Sequence, residues 1–217
     1  MKHVAIVGGG PRKYVPTLTN FYDEEMYWIG ADYGAKMLLE QKIIPDYSVG
    51  DFDSVSESEF RIIQEKSKQC KAYEVEKDET DLELALEHAL EQNPTTIYFF
   101  GVTGGRLDHA LINLQLLYPL QQKGIRGVVI DEGNWVELKE PGVHEVTQDD
   151  RFPNVSFVPF TSEVKQLTLD GFYYPLVNAN VPWGSTLCIS NKLHREKGTF
   201  SFEEGILLVI KSRDIIE

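Results

Sequence analysis

In "SVGDFDS" (residues 48–54) two carboxylates stand two positions apart, directly after a short apolar run and a glycine. In a roughly extended segment the side chains of Asp51 and Asp53 point the same way, and like charges so close repel unless a cation neutralises them. Oxygen ligands without clustered His or Cys suit Mg2+ rather than zinc. A second acidic stretch, "KDETDLELALE", sets Asp78 and Asp81 three apart where a helix begins, a spacing that can bring both onto one side. The same stretch also reads as a plain helix start. Thr80 and Glu83 make a capping box, and acids in a first helical turn stabilise by roughly 0.3–1 kcal/mol through the helix dipole. Ser56 and Glu59 make another such box.

"GVTGGRLDH" (101–109) is the third chemically informative loop. Gly104 and Gly105 let backbone approach a ligand closely, Arg106 offers a planar donor fork suited to phosphate oxygens, and Asp108 adds an acid. A tight strand-to-helix turn with a surface arginine would need the same residues. His109 reads as a capping or packing residue. "GGGP" (8–11) lacks both G-x-G-x-x-G and a Walker motif, and reads as a turn that can line a crevice.

These loops need elements to hold them. "HVAIVGGGP", "MYWIGADYG", "DYSVGDFDS" and "TIYFFGVTGGRLDH" each run from β-branched or aromatic residues into glycine. Helical periodicity appears in "YGAKMLLEQK", "ESEFRIIQEKSK", "DLELALEHALEQN" and "HALINLQLLYPLQ", and "GVVIDEG" supplies a further strand. This rhythm predicts an α/β N-terminal domain with a mainly parallel sheet. Open α/β sheets bind ligands beyond the carboxyl ends of their strands, and Asp32, Asp51, Asp53 and Asp108 all fall in such loops. From about Trp135 the texture changes to short alternating pieces, "VSFVPF", "QLTLDGFYYPL", "STLCISN", "GTFSFEEG" and "ILLVIK", which predict an all-β, sandwich-like C-terminal domain. The expected domains are 1–134 and 135–217.

Composition narrows the partners. The 217 residues are 42% hydrophobic, enough for a substantial core, and carry a formal net charge of −13. That charge argues against nucleic acid and anionic membrane surfaces, while a small anion can still bind through a divalent cation. Cys70 and Cys188 form neither a disulfide framework nor a metal cluster, and "MKHVAIVGGGP" is too short an apolar run for a secretory signal. A cytoplasmic protein is expected.

"GDFDS", then "KDETD", then "GGRLDH", in this order and spacing, resembles the thiamin pyrophosphokinase family, and "PLVNANVPWGSTLCISN" resembles that family's substrate-side segment. The likeness spans nearly the whole chain. It implies an α/β ATP-binding catalytic domain followed by a β-sandwich thiamin-binding domain, and a homodimer with each active site between subunits. It also implies the reaction: the thiamin hydroxyl attacks the β-phosphorus of ATP, giving thiamin diphosphate and AMP. On this resemblance Asp51, Asp53, Asp78 and Asp81 hold Mg2+ or its water shell, and Arg106 meets the phosphates. Asp32, Thr80, Gly104 and Asp108 shape the ATP site, and Asp81 is the carboxylate proposed to orient the attacking hydroxyl. Trp183, Ser190 and Asn191 match thiamin-side positions. Lys192 departs from the pattern, because family members often carry glutamate there. Relatives acting on a pterin alcohol share the acidic motifs, and a Mg-dependent phosphohydrolase or a nucleotide sensor would also use an acidic crevice.

Overall fold

A computed structural model describes residues 2–74, 76 and 78–215, so Lys77 of the second acidic motif lies outside the described residues. The chain divides into two compact units, Met1–Glu132 and Gly133–Glu217.

In the first unit, strands β1 (His3–Val7), β2 (Tyr27–Ala31), β3 (Tyr47–Gly50), β4 (Cys70–Ala72), β5 (Thr96–Phe100) and β6 (Arg126–Ile130) pair in parallel, in the order β4-β3-β2-β1-β5-β6. Residues Val4 to Val7 are all fully buried, as a parallel strand covered on both faces requires. The connecting helices are α1 (Tyr33–Glu40), α2 (Glu57–Lys66), α3 (Asp81–Glu91), α4 (Leu107–Gln115) and α5 (Leu117–Gln122). Both capping boxes form. The Ser56 amide donates to Glu59 Oε2 at 2.8 Å and the Thr80 amide to Glu83 Oε2 at 2.9 Å, while the returning Glu59 and Glu83 amides reach the cap hydroxyls. The helical stretch after Asp108 is two helices rather than one. Pro119, which lacks an amide N–H, is tolerated in the first turn of α5. The chain lays β1 to β4 outward on one side and then returns to place β5 on the other side of β1. The strand order therefore reverses between β1 and β5, and a crevice opens there.

The second unit is antiparallel throughout. β13 (Leu207–Ser212) pairs with both β7 (Asn134–Lys139) and β9 (Asn154–Pro159). A four-stranded sheet runs β11 (Leu176–Pro182), β10 (Glu163–Asp170), β12 (Lys197–Phe202), β8 (Gly142–Thr147). One apolar cluster joins the two layers: Val155 and Phe157 of β9 and Leu207 of β13 meet Leu167 and Leu169 of β10 and Phe200 of β12. Phe157 packs edge-on to Phe172 at 5.4 Å between centroids and against Phe200 at 5.0 Å. This is a β-sandwich.

One expected strand differs. "STLCISN" forms turns, with the Ser185 amide donating to the Pro182 carbonyl and Ser190 at φ 55°, and its ties to β9 are an isolated bridge between Asn191 and Val155 and a bond from the Phe157 amide to the Cys188 carbonyl rather than a ladder. The strand lies just upstream, in the polar "LVNANVP" of β11. As the end strand of its sheet, β11 tolerates outward polar side chains.

Candidate active site

The loops leaving β1 and β5 are bonded to each other. The Gly8 amide donates to the Phe100 carbonyl and the Gly10 amide to the Gly101 carbonyl, each at 2.8 Å. A Cβ on Gly10 would lie 2.6 Å from the Gly101 oxygen, so this approach requires glycine. Beside these loops lies a cleft of about 920 Å³, lined among others by Asp32, Asp51, Thr80, Asp81, Arg106 and Asp108. The glycine run at 8–10 lines it too, as do Thr103, His109 and Asn113.

Three acids converge at its edge: Asp32, Asp51 and Asp53 each offer an oxygen within 4.8 Å of the others. Asp32 follows β2 with φ 50° and ψ −121°, a conformation that normally belongs to glycine. Gly50 makes room for it, since a Cβ there would stand 3.1 Å from the Asp32 Cα. Ser54 Oγ donates to Asp32 Oδ2 at 2.5 Å, whereas the buried Oδ1 has no hydrogen-bond partner among the described residues. Burial pushes the Asp32 carboxyl above the usual carboxylate range. The Ser54 and Tyr33 hydrogen bonds oppose this, and the charges of Asp81 and Asp51 add to it.

The segment between the acids is not extended. Phe52 has φ 58°, and the Asp53 amide donates to Asp51 Oδ1 at 3.1 Å, closing a turn. A left-handed non-glycine residue costs roughly 1–2 kcal/mol. Phe52 is only 5% exposed, packed with Ala35, Phe60 and Ile63, and burying a phenylalanine contributes about 1.5–3 kcal/mol. The ring outweighs the backbone, and the turn holds.

The remaining predicted residues fall in different places. Asp81 opens α3 and faces the cleft, while Asp78 is exposed and does not line it. Thr80 lines it with its hydroxyl bonded to Glu83 at 2.9 Å. Arg106 and Asp108 form a two-pronged pair at 3.2 and 2.6 Å, which holds the Asp108 carboxyl down to about 2. Gly104, at φ 81°, seats the Tyr14 ring and does not line the cleft. His109 is exposed toward the cleft rather than packed. Sequence reasoning missed Asn113, whose amide donates to the Val102 carbonyl at 2.8 Å and steadies the β5–α4 loop. Its spacing of four from His109 puts both on one face of α4 and was the available signal.

On the second unit, Trp183 is 66% exposed, an unusual state for an indole. Asn191 is only 2% exposed. Its side-chain oxygen accepts from the Tyr174 amide at 3.1 Å and the Lys192 amide at 2.8 Å, and its Nδ2 donates to the Tyr174 carbonyl at 2.8 Å. The Ser190 amide donates to Ser156 Oγ at 2.9 Å. Lys192 lines a separate cleft of about 230 Å³ with Asp149, Tyr173 and Lys211.

A parallel sheet with an acid-rimmed cleft at its switch point, followed by a β-sandwich, defines an α/β class of protein with a ligand crevice at the carboxyl ends of its strands. Comparison with known proteins narrows the class. A family model described as the catalytic domain of thiamin pyrophosphokinase matches residues 18–129, and one described as its vitamin B1 binding domain matches residues 143–207. The chain belongs to the thiamin pyrophosphokinase family. The thiamine pyrophosphokinase of Bacillus subtilis (strain 168) is 47% identical over 214 residues, covering 99% of this chain and 100% of that one. A crystal structure of thiamine pyrophosphokinase from Bacillus subtilis superposes with a TM-score of 0.93 at 45% identity, covering 99% of this chain and 100% of that one. Thiamin pyrophosphokinase from Candida albicans shares the fold at 18% identity, with a TM-score of 0.81 and coverage of 98% of this chain and 89% of that one.

Proposed function

We propose that the cleft carries out the reaction of this family: the diphosphoryl group of ATP passes to the hydroxyl of thiamin, giving thiamin diphosphate and AMP. The observation that carries the reading is the convergence of Asp32, Asp51 and Asp53 at the edge of the cleft. The triplet offers carboxylate oxygens, and the buried Asp32 Oδ1 is an acceptor without a partner among the described residues, so the donors fit Mg2+. Asp32, Asp51 and Asp53 would hold the ion, with Asp81 and Asp78 in its surroundings. Bound there, Mg2+ supplies the positive charge that lets polyphosphate approach an acidic protein.

The chain's own groups do the rest. Arg106 keeps N–H donors beyond the two held by Asp108 and directs them at the phosphates. Thr80 and Asp108 shape the surrounding ATP site, and Gly104 acts on it only from outside, by seating the Tyr14 ring. Asp81 orients the thiamin hydroxyl, whose oxygen attacks the β-phosphorus as its proton is released to solvent. The bond from that phosphorus to the oxygen bridging the α-phosphorus breaks, and AMP leaves with the electron pair. Such a transfer depends mainly on alignment and charge stabilisation. Trp183, Ser190 and Asn191 are the thiamin-side residues. The indole face of Trp183 stacks on the cationic thiazolium, and Asn191 acts through the turn it fixes, which sets Ser190.

The protein works as a homodimer, with each active site between subunits, in the cytoplasm. Exposed apolar side chains support the dimer: no residue of α4 is buried, Leu107 is 72% exposed, and Trp183, Tyr174 and Val177 are bare on the second unit. Two free cysteines agree with a reducing compartment, and no helix among the described residues is long and apolar enough to cross a membrane.

Product analysis tests the reading. Purified protein with ATP, Mg2+ and thiamin should yield AMP and thiamin diphosphate in equal amounts, and neither without Mg2+. Release of inorganic phosphate independent of thiamin would point instead to hydrolysis.

A further inference from the structure

We infer that Phe52 is a positioning residue for the divalent-cation site, an inference that rests on the reading of the acid triplet given above. Asp51 and Asp53 reach Asp32 only because the residue between them adopts a left-handed turn, at φ 58°, which a bulky side chain does not take up by preference. Hydrogen bonds link the loop to the acids, with Ser54 Oγ donating to Asp32 Oδ2 at 2.5 Å, but they do not fix the backbone of Phe52 itself. Besides the 3.1 Å bond from the Asp53 amide to Asp51 Oδ1, the long 3.3 Å bond from the Val55 amide to the Phe52 carbonyl also closes it. The firm attachment is the ring. Phe52 lies 4.8 Å from the Phe60 ring, centroid to centroid, in a cluster with Ala35 of α1 and Ile63 of α2.

Both helices are fixed at the ends that matter. Asp32, the third acid, is the residue immediately before α1, at its N-cap. α2 begins at the Ser56–Glu59 capping box, and Lys36 of α1 bonds Glu59 at 2.6 Å, tying the two helices across the loop. A ring wedged between these helices therefore references Asp51 and Asp53 to the element that carries Asp32. Phe52 touches neither metal nor substrate in this account. It sets the distance among the oxygens that do, as supporting groups around metal ligands commonly do.

The test is Mn2+ binding by the full-length protein, followed through the EPR signal of free Mn2+, with α,β-methylene ATP as a nucleotide whose α–β link cannot break. Phe52→Ala and Phe52→Gly should weaken Mn2+ binding by about 10-fold or more. The glycine variant is the sharper of the two, because it permits the left-handed turn but removes the anchor. Phe52→Leu keeps an apolar anchor and should bind Mn2+ nearly as the unaltered chain does. Phe157→Leu, in the separate core of the second unit, should lower the unfolding midpoint while leaving Mn2+ binding unchanged. Wild-type Mn2+ affinity in folded Phe52→Gly would overturn the inference, as would equal loss of affinity in Phe157→Leu. If the unaltered chain bound no Mn2+ with the nucleotide, the cation site itself would fall, and the role of Phe52 with it.

Discussion

Asp32 in the first unit and Asp149 in the second are acids of the same kind treated in opposite ways. The Arg151 guanidinium meets Asp149 at 3.0 and 2.9 Å and holds its carboxyl below the usual range, with Lys211 a further 3.7 Å away. Asp32 is half-buried, the charges that act on it are those of Asp81 and Asp51, and its Oδ1 has no partner among the described residues. The polar groups of the two units repeat the contrast. Asn191 has its amide bonded to the backbone on both sides, whereas the cleft gathers carboxylates beside one another. A fold stabilises itself by pairing its charges, so acids drawn together, with Asp32 among them pushed upward by burial, mark the place where a ligand completes the arrangement.

The sharpest way to break the contrast is Asp51→Asn. If the triplet neutralises a cation and its phosphates, turnover should fall about 100- to 1,000-fold with the circular dichroism spectrum and unfolding midpoint preserved. A wild-type rate would remove Asp51 from the site. Asn191→Ala addresses the opposite pole, because it deletes three hydrogen bonds from a buried position. A loss of about 2 kcal/mol in chemical denaturation is expected, with the KM for ATP unchanged.

A smaller effect belongs to Trp183, which the fold leaves largely uncovered. Trp183→Ala should raise the KM for thiamin by about 2- to 30-fold, the equivalent of a cation–π contact, without moving the unfolding midpoint.

The smallest effect is a difference in sign. Asp149 has a folded-state pKa below its unfolded value, so its stabilisation is present above about pH 4 and is lost as pH falls below that. Asp32 is raised, so its contribution is present below about pH 4 and is lost as pH rises through the folded value. At neutral pH and without divalent cation, Asp149→Asn should therefore lower the melting temperature and Asp32→Asn should raise it. Melting curves for both variants between pH 3 and 8 would show whether the signs are opposite.

Much of this was legible in the sequence. Apolar runs ending in glycine located the parallel strands, and acids placed just after them located the cleft, because a strand's carboxyl end is where a loop must open. The convergence of Asp51 and Asp53 was also legible, but its cause was not. An extended segment would have aligned them, and the structure uses a left-handed turn held by the Phe52 ring, a tertiary contact that residue spacing does not encode. "STLCISN" alternates like a strand, yet Ser190 at φ 55° and the turn after Pro182 leave it without a ladder. Asn191 was visible as a polar residue in a segment that resembles the family's substrate side. Its two bonds to Tyr174, 17 residues away, could not be read locally.

The most direct measurement is an anomalous difference map from crystals grown with Mn2+ and α,β-methylene ATP. The account predicts a Mn2+ peak among the carboxylates of Asp32, Asp51 and Asp53, with the nucleotide phosphates extending toward Arg106. A peak bound elsewhere on the chain, with those three carboxylates unliganded, would contradict it.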